Sequence, residues 1–291
     1  MSELKKNLGA GLLLNPQHLD SLLEPDTGVE WVELTSEHLL GIKANRYRPR
    51  VTTRIEQLLS MYPVSLHGLE LSIGSADPTD AQYLKNLREL ETIIQPKIIS
   101  DHMVWTGAFG YHAHELIPFP YTEETLDHVS QKVSHVQDVL KRQFVLENPP
   151  SSILFEHSTF SEAEFMNALA DRTGCGLLID VCNLYVTTTN NELSAKSFLD
   201  TIKPEHVQQY HLAGYQVDTK NGNFLYDTHD RAIPQPVWDL FATALDKIGA
   251  RTTNVEWIGD VNFGDLNEEC QKIKAVLRNI ERKQKLGTRA A

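Results

Sequence analysis

The chain has only three cysteines, Cys175, Cys182 and Cys270, among its 291 residues. So sparse and odd a set excludes a disulfide framework and fits a reducing cytoplasm. No apolar run approaches the ~20 residues that span a bilayer. The run at residues 10–14 follows a short polar N-terminus and lacks the pattern of a secretory signal. Positive charge is in deficit, with 27 Lys and Arg against 39 Asp and Glu and a formal net charge of −12. That balance repels phosphate backbones and argues against nucleic acid as a partner. No G-x-G-x-x-G or G-x-x-x-x-G-K-[ST] loop is present, and Gly9-Ala10-Gly11 leads into a strand rather than a helix. No Ser-His-Asp arrangement or G-x-S-x-G elbow appears. No Pro/Gly/Ser-rich linker divides the chain. The expectation is one soluble, cytoplasmic, membrane-free catalytic domain over 1–291, with a core at about 9–276 and a tail at 277–291.

What is present is an alternation. Short apolar runs at 10–14, 31–34, 64–67, 98–102, 144–147, 176–180, 208–211 and 254–256 are separated by longer stretches of helical pattern. Residues 80–94 carry Leu84, Leu87, Leu90 and Ile94 at helical spacing, and 122–141 begin on a cap-like Thr-Glu-Glu-Thr. Ser161 and Glu164 form a capping-box pattern for 161–172, and 236–248 set Trp238, Phe241, Leu245 and Ile248 on one stripe. Eight strands alternating with helices predict an α/β fold, a (β/α)8 TIM barrel.

The residues that close these runs carry the chemistry. The third to eighth runs end on His67, His102, Glu147, Asp180, His211 and Glu256. In a parallel barrel those ends share one rim, and active sites occupy it. Three carboxylates crowded there repel one another, and a multivalent cation removes the conflict. Mixed imidazole and carboxylate donors suit Fe, Mn, Zn or Co better than Mg or Ca. Six donors are too many for one ion with an open position, so two or three ions are expected, with Glu147 or Asp180 bridging. Asp227 and His229 alternate within Tyr226-Asp227-Thr228-His229-Asp230; in an extended segment they project the same way and, with Asn183, offer a third site or a pocket wall. His112 and His114 lie in a Gly/Pro/aromatic loop, read as solvated or as a lid. His18 stands after the first run as a weaker candidate. Cys182 reads as a small buried core residue whose side chain alternates away from the partners of Asp180.

Five segments then stand in a specific order. They are Leu146-Glu147-Asn148-Pro149-Pro150, the stretch from Thr173 to Asn183, His211-Leu212-Ala213-Gly214, Asp227-Thr228-His229-Asp230, and Val255-Glu256-Trp257. This ordered set resembles the multinuclear non-haem iron oxygenase family typified by MbnB, of methanobactin biosynthesis, and TglH. The resemblance implies a barrel similar to xylose isomerase and endonuclease IV. It implies two or three Fe ions of mixed valence (Fe2+/Fe3+), with O2 as co-substrate. The target it implies is a cysteine of a ribosomally synthesised precursor peptide, and a separate peptide-recognising partner protein is implied, in a heterodimer. By motif, Glu147, Asp180, His211 and Glu256 resemble the ligands of one iron. His67 and His102, with bridging Glu147, resemble those of a second, and Asn183, Asp227 and His229 those of a third. Tyr215 stands where the family often has the last His of H-L-A-G-H, and Cys182 where it often has Asn. Ile258 stands where an acid is common, with Asp260 following as a candidate catalytic acid/base. This pattern is closer to the methanobactin-type branch, whose products are an oxazolone and a thioamide. Two other readings of the same residues are a metal-dependent hydrolase or sugar isomerase on this barrel and a metal-stabilised peptide-binding module.

Overall fold

Backbone N–H and C=O groups can be buried only when they are paired, and an extended segment achieves that by pairing along both edges. The apolar runs do so here. The computed structural model describes residues 7–40 and 51–287. Its eight principal strands are β1 (Ala10–Leu13), β2 (Trp31–Thr35), β3 (Val64–Gly68), β4 (Ile98–His102), β5 (Val145–Glu147), β6 (Gly176–Asp180), β7 (Val207–Leu212) and β8 (Thr252–Val255). Each is parallel to its neighbours, and β8 pairs with β1 to close the barrel. Segments 1–6, 41–50 and 288–291 and the His114 side chain lie outside the described residues.

The crossover helices start where the capping signals stand. Asp80 accepts from the backbone of Gln82 and Tyr83 at the head of Ala81–Ile94. Thr122 and Thr125 form a reciprocal box at the start of Glu123–Leu140, and Ser161 and Glu164 do so for Glu162–Thr173. The outward-pointing Leu66, Ile99, Leu146, Ile179 and Tyr210 are all 0–1% exposed, Tyr210 against Phe241 of the helix Gln235–Lys247. Phe144, Phe165 and Phe241, each fully buried, contribute about 1.5–3 kcal/mol apiece through removal of apolar surface from water. In Gln235–Lys247 the buried stripe is Val237, Phe241, Ala244 and Leu245. Trp238 is half-buried beside it, one position off the expected face. The expected tail is no separate segment, because the last helix, Phe263–Gly287, runs through most of it.

Alternation along the strands sends a different set of side chains inward. Barrels of this kind are commonly filled by Val, Ile and Leu. Here the interior holds Glu33, Ser65, His67, Ser100, Glu147, Gln209, His211 and Asn254, none more than 2% exposed. The barrel is thus a polar shaft inside an apolar jacket. Where the sequence pattern read a loop, an antiparallel hairpin of Trp105–Ala108 and Tyr111–Ile117 stands beyond β4. A second hairpin, Gln216–Asp218 with Phe224–Tyr226, follows β7.

Candidate metal centre

The floor of the centre is Glu33, in the middle of β2. Its Oε2 accepts from Ser65 Oγ at 2.7 Å and from Gln209 Nε2 at 2.7 Å. Its Oε1 accepts from Asn254 Nδ2 at 2.8 Å and meets His211 Nε2 at 2.7 Å. Four donors from three other strands fill the carboxylate's four acceptor positions. Burial alone would raise Glu33, but His211 and Ser65 hold it down at about 2. Although Glu33, His67 and His211 lie close enough to be considered as one ligand set, Glu33 has no lone pair left for an ion. It is an anchor beneath the centre. The sequence reading missed it, although a Glu inside the apolar run Trp31-Val32-Glu33-Leu34 was a signal that a buried charge needed partners.

Above the floor, unsatisfied lone pairs converge. His102 Nδ1 lies 3.2 Å from the Gly68 carbonyl, which can only accept, so Nδ1 carries the proton. His67 Nδ1 is engaged by Ser100 Oγ at 2.8 Å. Both imidazoles turn Nε2 inward, 3.3 Å and 3.7 Å from Glu147 Oε2. The buried His67 Nε2, Glu147 Oε2 and Asp180 Oδ2 have no hydrogen-bond partner. A proton on the histidines does not resolve this. Burial pulls His67 below its ordinary value, and burial with the neighbouring His67 carries His102 to about 3. A cation does resolve it.

The ligand atoms of Glu147, Asp180, His211 and Glu256 lie within 4.8 Å of one another, as do those of His67, His102 and Glu147. Glu147 belongs to both sets and sits where a bridging carboxylate would. His211 presents Nδ1 at 3.0 Å from Glu256 Oε2 and 3.7 Å from Glu147 Oε2. Burial would lower His211, but Glu33 and Glu147 drive it well above the usual imidazole range. Burial, reinforced by Asp180 and Glu256 against the pull of His211, pushes Glu147 far above the usual carboxylate range. Burial also takes Asp180 up to about 7. Glu256 is driven up by burial, yet His229 and His211 bring it well below its ordinary value. Without a cation these groups share protons among themselves. The donor set fits multivalent metal ions.

A third group lies to one side. Asp227 Oδ1 and His229 Nε2 are 2.8 Å apart without hydrogen-bond alignment, and both count among the buried atoms that lack a hydrogen-bond partner. His229 Nδ1 reaches Glu256 Oε2 at 3.5 Å, which links this group to the main centre. The two side chains meet for a different reason from simple strand alternation. His229 adopts a left-handed backbone with φ +48, held by its N–H to Gly214 O and its carbonyl to Ile258 N–H. Asn183 donates through Nδ2 to Glu147 Oε1 at 3.2 Å, and its buried Oδ1 has no partner.

Cys182 departs from the expected position. The strand ends at Asp180, which caps the helix Val181–Asn190 by accepting from Asn183 N–H. Strand alternation no longer applies past that point, and the Cys182 side chain turns toward Asp227 and His229. Asp260 is exposed on the loop after β8 and joins none of these groups. His18 is buried against Phe263 and joins none of these groups, and exposed His112 pairs with Glu70 at 2.6 Å on the first hairpin.

Fold and site together define a xylose-isomerase-like (β/α)8 barrel with clusters at its mouth that can hold metal ions. D-psicose 3-epimerase is similar in fold, with a TM-score of 0.57 at 10% identity, over 94% of this chain and 99% of that one. A xylose isomerase-like TIM barrel protein from Mycobacterium smegmatis, solved in complex with magnesium, has a TM-score of 0.57 at 13% identity, over 91% and 88% of the two chains. At such identities the likeness concerns the fold alone. Residues 9–278 match the model of the RiPP precursor modification enzyme family MbnB/TglH/ChrH, and the chain belongs to that family. A UPF0276 protein of Rhizorhabdus wittichii is 40% identical over 274 residues, covering 93% of this chain and 95% of its own length. A UPF0276 protein of Acaryochloris marina is 35% identical over 270 residues, covering 92% and 95%.

Proposed function

We propose that this member of a peptide-modifying family is a multinuclear iron enzyme that uses O2 to alter a cysteine of a ribosomally synthesised precursor peptide. The observation that carries the metal part is the convergence of bare His67 Nε2, Glu147 Oε2 and Asp180 Oδ2 in a fully buried space. The family supports the peptide part. His67, His102 and Glu147 would hold one ion, and Glu147, Asp180, His211 and Glu256 another. Bound iron would supply one-electron chemistry toward O2 and acidify a substrate thiol.

The chain's own residues do the rest. Glu33, Ser65, Gln209 and Asn254 hold the His211 ring from below and leave its Nδ1 facing the centre. Ser100 and the Gly68 carbonyl orient the rings of His67 and His102 through Nδ1. Asn183 steadies Glu147 through its amide. The jacket of Leu66, Leu146 and Ile179 closes the outer face of the strands that carry the site. Exposed Asp260, on the loop after β8, would meet the substrate side as an acid or base. The peptide would arrive with a separate partner protein, in a reducing cytoplasm, and the methanobactin-type outcome would be an oxazolone with a thioamide.

The test is anaerobic reconstitution with iron, then addition of O2, a Cys-containing precursor peptide and its partner protein. The expected result is a change in peptide mass that requires iron and O2. An unchanged mass under those conditions would overturn the reading. Zinc as isolated, with no iron-dependent absorbance, would move it to the hydrolases or isomerases of this barrel.

A further inference from the structure

We propose that Cys182 is a metal ligand, forming with Asp227 and His229 a sulfur-containing subsite beside the main centre. The inference rests on the metal-centre reading above and adds a donor of a different kind. The three candidate donor atoms lie within 4.8 Å of one another. His229 is 7% exposed, and its Nε2 has no hydrogen-bond partner, nor has Asp227 Oδ1. The approach of those two atoms to 2.8 Å suits neighbouring donors on one ion. Cys182 is fully buried, and its thiol is in contact with the His229 ring.

The chemistry of the thiol supports the assignment. Metal ligation deprotonates a thiol outright and releases the proton. A thiolate also makes this subsite softer than the imidazole and carboxylate sets around Glu147, so the two have different metal preferences. The rings of Tyr185 and Tyr215 stack 5.3 Å apart, with Tyr215 near Cys182. The other two cysteines are silent in the measurement below. Cys175 precedes β6 at the opposite end of the barrel and Cys270 lies in the last helix, and neither joins a candidate metal group among the described residues.

The experiment titrates chelator-treated, full-length protein with Co(II) under anaerobic conditions. The expected result is near-ultraviolet thiolate-to-cobalt charge transfer in addition to visible d–d absorption. Cys182→Ala should lose the charge transfer and one bound equivalent per chain while keeping the visible bands of cobalt at the Glu147 centre. Visible bands without charge transfer in the wild type would overturn the thiolate ligand and leave the main centre standing. No cobalt uptake at all would overturn both. Should Cys182→Ala fail to fold, 113Cd magnetic resonance of the wild type decides. A thiolate-shifted cadmium signal supports the proposal, and signals from nitrogen and oxygen sites alone overturn it.

Discussion

Glu33 Oε1 and His211 Nε2 stand 2.7 Å apart at the floor of the barrel, both fully buried. Two lone pairs cannot approach so closely, so the ring nitrogen carries the proton. The Gln209 amide nitrogen, 2.9 Å from the same ring nitrogen, sends one of its two hydrogens to Glu33 Oε2. His211 is thereby left with Nδ1 as its only donor to a metal, and its orientation is set by a residue that touches no ion.

Glu33→Gln tests that arrangement. The amide cannot accept from four donors, and its NH2 group would confront the two that now meet one carboxylate oxygen. Metal affinity should fall 10–100-fold, as for other partners of ligating histidines. Competition with a chelating dye measures the affinity. Histidine 15N titration of the metal-free protein should show the His211 imidazolium losing its proton at lower pH in the variant, because Glu33 is one of the carboxylates that hold that proton. Unchanged affinity and titration would remove Glu33 from the centre.

Glu147→Gln separates metal binding from folding. In the metal-free protein the buried carboxyl already favours its protonated form. The isosteric amide should therefore change stability by less than about 1 kcal/mol, since it can still offer a donor to His67 Nε2. With metal at a hundred times its dissociation constant the wild type should gain about 2.7 kcal/mol, and the variant should lose most of that gain. Urea denaturation with and without a chelator checks both halves. Equal metal-dependent stabilisation of the two proteins would show that Glu147 is not a ligand.

Glu162 should give the stability a pH dependence unrelated to the metal centre. Burial raises it from 4.5 to about 7, against the Tyr121 hydroxyl that donates to it at 3.1 Å. The folded protein thus holds this proton more tightly than the unfolded chain. The group's contribution is full below pH 4.5, declines as pH rises, and is gone above about 7. Relative to Glu162→Gln, the wild type should lose about 1–2 kcal/mol between pH 4 and pH 8, allowing for partial exposure. Parallel stability profiles for the two proteins would refute this.

Gly11→Ala tests the packing inside the base of the barrel. A Cβ at Gly11 would stand 2.4 Å from the Trp31 ring, which is fully buried and tied to the Gly9 carbonyl through its indole N–H at 3.1 Å. The ring has no free side to move to, so the overpacking should cost about 1–3 kcal/mol. A melting curve indistinguishable from wild type would show that β1 and β2 can separate without strain.

Much of the fold was legible because its signals are local. Asp80, Thr122 and Ser161 announced helix starts, and the apolar runs announced strands. The candidate ligands were legible for a related reason. In a parallel barrel every strand ends at the same mouth, so His67, His102, Glu147, Asp180, His211 and Glu256 could be grouped from their place in each run alone. Glu33 was not legible in that way. Its partners Gln209 and Asn254 lie 176 and 221 residues along the chain. A single Glu inside a strand looks the same whether it is an anchor or an exposed edge residue.

The sequence by itself determined the alternation, the closure into a barrel, and which residues stand at its mouth, since hydrophobic period and capping act over a few residues. Only the tertiary structure decided which nitrogen of each histidine faces the centre, because that depends on Ser100, the Gly68 carbonyl and Glu33 brought from other strands. It also decided the place of Cys182. At Asp180 a strand gives way to a helix, and that one change of backbone period turns the Cys182 side chain toward Asp227 and His229.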